Sequence, residues 1–203
     1  MKIKTTLIIL LFLTLNIAYA QENKKGAIKT KDGLILYFNL ENNSYTLNLL
    51  GETDLSNYPF VKLNDKWFEI NMGSKSEFGN TLKDILINFM NWELDYLKNE
   101  FKKEIKAKYN FIDYNNMLLN FWQYNPPMIK TKEISIPVKT TYFIDFIHND
   151  LVHRFSYASS TGNELEAKQF LLKLVDGIHF YKSNIDLKKL QEIVIQGKAY
   201  YNE

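Results

Sequence analysis

The chain has 203 residues, no cysteine and a formal net charge of +2, and its cations include a single arginine, Arg154. Without cysteine there are no disulfides, thiol nucleophiles or thiolate metal sites, so packing alone must hold the fold. A near-neutral chain with one planar guanidinium has no field to gather nucleic acid or anionic lipid, and neither is expected as a partner.

Lys2 and Lys4 precede the apolar run Leu7–Leu13, and Ala18-Tyr19-Ala20 has the small-x-small pattern of a signal-peptidase site, read at Ala18 and Ala20. The run is too short to span a bilayer, so residues 1–20 read as an export signal that leaves no membrane anchor after cleavage. The expected location is periplasmic or secreted. The two lysines account for the whole formal charge, so the exported chain is neutral. Residues 21–30 are polar and read as a flexible segment; 31–203 read as a single α+β domain.

Its first half reads as strands. Leu34–Phe38 follows the turn pair Asp32-Gly33, and Asn42-Asn43-Ser44 leads into the alternating run Tyr45–Leu50. Phe60–Leu63 and Trp67–Ile70 flank Asn64-Asp65-Lys66 as a hairpin. A long helix is predicted from about Thr81 to about Lys106, with Thr81 and Asp84 as its cap. Leu86, Met90, Leu94, Leu97, Phe101 and Ile105 form one buried stripe. Ile85, Phe89, Trp92 and Tyr96 form a second. At about 1.5 Å per residue, roughly 26 residues make a rod near 40 Å, longer than a small sheet is wide.

Met117–Tyr124 is a further strand closed by Pro126-Pro127. In Thr141–Ser159 two aromatic-rich runs meet at Asn149-Asp150. A two-residue turn there sets Asp145 across from Arg154, a pair worth about 0.2–1 kcal/mol, with Ile144 on Phe155 and Tyr142 on Tyr157 on the other face. Asn163 caps the next helix with Glu166 three residues on, as a reciprocal box. Gly177 is its terminator, and Asp186–Gln196 is a short last helix.

Strands, a long central helix, a hairpin and a capped C-terminal helix define an α+β fold: an antiparallel sheet flanked by helices, an α/β/α sandwich. Tyr142–Ile147 through the turn to Arg154–Tyr157, and then Asn163–Phe180, resemble the closing hairpin and helix of the PsbP-like α/β/α sandwich. The likeness covers residues 118–180 and lies in topology and apolar pattern, without a diagnostic motif. It implies a binding or accessory protein, often exported, and transfers no functional residue.

Three groups of residues admit a functional reading. His148 and His153 share a face of the hairpin on a diagonal about 7–8 Å apart, a possible start for a zinc or copper site or a hydrolase. No third ligand stands at a supporting spacing, and Ser156 points to the opposite face from His153. Trp67, Trp92, Phe121, Trp122 and Tyr124 are the rings available to a glycan-binding module. The doubled stripe Ile85, Phe89, Trp92 and Tyr96 is the leading reading, because a helix over a narrow sheet needs only one apolar stripe. It points to an exported, non-enzymatic binding protein without a cofactor. Its partner is another protein, as for an assembly-accessory or immunity-type protein, or a second copy. Asp145, Arg154, Asn163, Glu166 and Gly177 read as structural.

Overall fold

The computed structural model describes residues 24–40, 43–127 and 138–195. The expected signal peptide, with Ala18 and Ala20, lies outside the described residues, as does Asn42. The chain divides into two compact units. One gathers residues up to Lys31, Ile35–Leu47 and His179 onward; the other gathers Asp32–Leu34 and Asn48–Ile178.

The smaller unit is built on strands β1 (Lys24–Lys29), β2 (Gly33–Asn39), β3 (Ser44–Leu50) and β11 (Ile178–Tyr181), which form a sheet in that order. Polar residues 24–29, expected to be flexible, instead form strand β1. Ile28 packs against the cluster of Tyr181, Ile185 and Leu190, and that contact ties the segment to the sheet. Helix α3 (Leu187–Ile195) starts where predicted. The Asn39 amide exchanges two hydrogen bonds with the backbone of Ile185, at 2.7 and 3.0 Å. Phe38 stacks on Tyr45 at 4.5 Å.

The larger unit holds a seven-stranded antiparallel sheet in the order β4-β5-β6-β10-β9-β8-β7. Its strands are β4 (Thr53–Asn57), β5 (Phe60–Leu63), β6 (Lys66–Ser74), β7 (Lys108–Tyr114), β8 (Met117–Tyr124), β9 (Thr140–His148) and β10 (Leu151–Ser159). The β9–β10 turn falls at Asn149-Asp150, with Arg154 opposite Asp145, Phe155 opposite Ile144 and Tyr157 opposite Tyr142, as the aromatic alternation predicts. Strands β4 and β7 are edge strands and largely exposed, so little in their sequence alternates.

Helix α1 (Leu82–Phe101) lies on one face of this sheet and α2 (Glu164–Asp176) on the other, an α/β/α arrangement. Under α1, Met90 and Leu97 pack with Trp122, Tyr124 and Phe143. Ile85, Leu86 and Phe89 pack with Val152. On the other face, Phe170 of α2 meets Phe68 edge-on at 6.0 Å and Tyr157 at 5.1 Å.

The expected helix of about 26 residues is shorter: α1 has 20 residues, close to 30 Å, and stops at Lys102, which adopts φ 54°. Phe101 and Ile105 still pack on the Trp122 cluster, because the chain turns back toward β7 there. The cap at Thr81 forms as predicted, its hydroxyl accepting from the Asp84 N–H at 3.2 Å.

The second cap is only half right. The Asn163 side chain accepts from the Glu166 N–H, but the Glu166 carboxylate bonds Lys66 at 2.7 Å and the Asn163 N–H donates to Thr161. Nor is Gly177 a left-handed terminator: its φ is −74°, and its N–H still donates to Lys173 and Leu174 carbonyls as the chain runs into β11.

Lys102 has a side chain in the left-handed region that glycine enters without strain. Lys102→Gly is expected to raise unfolding free energy by roughly 0.5–1 kcal/mol in urea titration.

Candidate binding site and its buried arginine

Antiparallel pleating sends Asn71, Glu69 and Trp67 of β6, Arg154 and Ser156 of β10, Asp145 and Phe143 of β9, and Trp122 of β8 to the α1 side of the sheet. Arg154 is fully buried there. Its Nε and Nη2 donate to the two carboxylate oxygens of Asp145 at 2.7 and 2.9 Å, a bidentate pair. Nη2 also donates to the Phe89 carbonyl at 3.2 Å, and Nη1 to Glu93 of α1 at 2.8 Å. The indole N–H of Trp122 donates to Asp145 at 2.8 Å. The guanidinium lies 4.1 Å from the ring centre of Phe89 and 5.1 Å from that of Trp122.

The pair predicted as an ordinary cross-strand contact is thus the polar centre of the helix–sheet interface. Glu93, its third member, escapes a sequence reading because it falls between the two apolar stripes, and nothing in its neighbours Trp92 and Leu94 marks it as paired with a sheet residue. The signal available was the lone arginine itself.

Glu69 completes the charge pattern, accepting from the Ser156 hydroxyl at 3.4 Å. Burial pushes the Glu69 carboxyl above the usual carboxylate range, against hydrogen bonds from Asn71 and Ser156 and the pull of Arg154. Burial also pushes Glu93 up; Arg154 opposes this, while Glu69 and Asp145 add to it. Asp145 is pushed up by burial too, and Arg154 and Trp122 counter that push. Burial alone would weaken the charge on Arg154, but Asp145, Glu93 and Glu69 more than restore it. One cation serves three carboxyls.

The second apolar stripe of α1 divides. Ile85 and Phe89 are buried, whereas Trp92 is 55% exposed and Tyr96 40% exposed. Gly73 explains Phe89: a Cβ at Gly73 would lie 2.9 Å from that ring, so only glycine lets it down onto the sheet. Trp92 stacks parallel on Phe89 at 5.9 Å and edge-on to Phe78 at 6.3 Å, as an outer layer.

His148 and His153 share the α2 side of the hairpin on the predicted diagonal. They differ in depth, however: His148 is half-buried and His153 is 3% exposed and stacked on Phe146 at 5.1 Å. Burial drives His153 down to about 3, so its imidazole is neutral. Among the described residues no group of three His, Cys, Asp or Glu side chains is placed to hold a metal ion. Of the rings considered for a glycan, Phe121, Trp122 and Tyr124 are core residues, and Trp67 and Trp92 are exposed. Among the described residues no helix is long and apolar enough to cross a membrane.

The fold class is therefore α+β, with antiparallel sheets and a helix on each face of the larger one. No family model and no curated protein sequence matches the chain. Among solved structures it is similar to the solution structure of cyanobacterial PsbP (CyanoP) from Synechocystis sp. PCC 6803, at 10% identity, with 78% of this chain and 92% of that one covered and a TM-score of 0.44. That PsbP-like likeness concerns fold, and function has to be argued from the residues of this chain.

Breaking a buried ion pair costs about 3–5 kcal/mol, because the abandoned charge stays buried. Arg154→Met is expected to lose that much in urea titration, and Arg154→Met with Asp145→Leu to lose less than Arg154→Met alone. The pH profile carries two opposite signs. Glu69 holds its proton more tightly folded than unfolded, so its contribution is complete below the ordinary 4.5 and is lost as pH rises through the raised value. His153 takes up a proton more readily unfolded, so stability falls as pH drops below 6.5 toward about 3. From neutral pH down to 4.5, the stability of the wild type relative to Glu69→Gln should therefore rise, and relative to His153→Leu it should fall.

Proposed function

We propose that the chain is an exported, non-enzymatic binding protein that holds a partner protein through the exposed part of α1, at Trp92 and Tyr96. The observation that carries this reading is the pair of large rings left 55% and 40% exposed on the same helix side as the buried Ile85 and Phe89. Trp92 is held flat by Phe89 and Phe78, so it presents a fixed apolar plate with little rotamer freedom to lose on binding. Rigid aromatic anchors of this kind dominate protein interfaces. The neighbouring polar groups are committed: Glu93 and Asp145 are bonded to Arg154. The signal-like N-terminus supports an extracytoplasmic partner. The alternative centred on His148 and His153 has less behind it, since His153 is closed off from solvent.

Trp92→Ala with Tyr96→Ala tests the reading. Both side chains are exposed, so stability should change by no more than about 0.5–1 kcal/mol. Cross-linking in the native envelope should recover a stoichiometric partner protein with the wild type and lose it with the double variant. Equal recovery by both, or recovery of no partner by the wild type, overturns the proposal.

A further inference from the structure

The α1 side of the seven-stranded sheet is covered unevenly. α1 packs over β8 and β9. On the same side, toward the β4 edge, the register lays out two rows of side chains. Asn57 opposes Phe60 and Phe60 opposes Glu69; one step along, Asp54 opposes Lys62 and Lys62 opposes Trp67. Phe60 and Trp67 are thus diagonal neighbours on adjacent strands and form one floor. They are 50% and 37% exposed. With Asn57 they line an open recess of about 370 Å³, within the range of small-ligand clefts, roughly 300–1,000 Å³. The Lys62 ammonium lies 5.9 Å over the Trp67 ring. Glu69 stands at the inner end, bonded to Ser156.

We propose that this floor binds a saccharide, with the C–H face of a pyranose ring against Trp67 and Phe60 and its hydroxyls bonded to Asn57, Lys62 and Glu69. The charges select this ligand class. An apolar peptide or a second copy of the chain would strip water from Asp54, Lys62 and Glu69 without repaying them. An anion meets the carboxylates of Asp54 and Glu69, and a cation meets Lys62. A neutral polyhydroxyl ligand fits both sets: its hydroxyls donate to the carboxylates and accept from the ammonium and amide. Its ring offers the flat apolar face that two exposed aromatics lack. Lys62 swings off the indole to admit the ring, its flexible stem allowing this at low cost.

The site is separate from the Trp92–Tyr96 face, and the inference does not rest on the partner-protein reading. The purified protein is to be titrated with a β-1,4-linked N-acetylglucosamine hexamer and, separately, a β-1,4-linked glucose hexamer, by calorimetry and by tryptophan emission. Trp122 is buried, so an emission change reports on the exposed indoles. At least one sugar should bind saturably. Trp67→Ala and Phe60→Ala should each weaken it at least about tenfold, the loss of one stacked ring. Asn57→Ala should weaken it measurably, while Leu165→Ala, on the α2 side, should not. Binding of neither sugar, wild-type affinity in either folded ring variant, or equal loss in Leu165→Ala overturns the proposal.

Discussion

The larger unit depends on one guanidinium. Arg154 is held by a bidentate carboxylate beside it on the sheet and by Glu93 and the Phe89 carbonyl above it on α1. A helix packed on a sheet by apolar contacts alone can slide by a residue at modest cost. One that must bring a carboxylate and a carbonyl to a fixed planar fork has only one workable rotation and height. The surrounding rings of Phe89, Trp122 and Phe143 keep water away and so make every misplacement expensive. A buried pair of this kind is a poor source of net stability, and its contribution here is the fixed geometry of its hydrogen bonds, in a chain without disulfides.

The helix placement in turn sorts its aromatic side. With α1 packed over β8 and β9, Ile85 is buried and Phe89 descends onto Gly73, while Trp92 is left as a second layer and Tyr96 stays exposed. The exposed rings at Trp92 and Tyr96 thus follow from the requirement that sets Glu93 on Arg154. The same constraint centres α1 on β8 and β9, and Phe60 of β5 and Trp67 of β6 are left exposed. Structure and candidate surfaces share one cause.

Much of this was legible in the chain. The β9–β10 hairpin follows from a period of two carried by several aromatics on each strand, and one turn position satisfied both faces at once. The Thr81 cap and the buried stripe through Leu86, Met90 and Leu97 are local patterns of the same kind. What escaped was set by distant parts of the chain. β1 forms because Ile28 reaches a cluster supplied by residues 181–190, and nothing in its own polar run foretells that. The α1 terminus at Lys102 is decided by Phe101 and Ile105 returning to the sheet, a tertiary pull that overrides continued helical spacing. Glu166 abandoned its cap for Lys66, a residue about a hundred positions earlier. In the candidate sites, residue types were visible but depth was not. His148 and His153 share a face as alternation requires, yet only the packed structure separates a half-buried imidazole from a closed one.

The uneven cover of the sheet sets how its backbone breathes. Strands β8–β10 are covered on both sides, and burial of that kind raises the cost of opening their amides locally. The wing formed by β4 and β5 keeps Val61 buried on one side but carries Phe60 in the open on the other, next to Trp67 of β6. Its hydrogen-bonded ladder is where exchange with solvent deuterium is expected first. A single sheet thus joins a half covered on both faces to one with an open face, and the polar grip around the guanidinium lies wholly within the covered half.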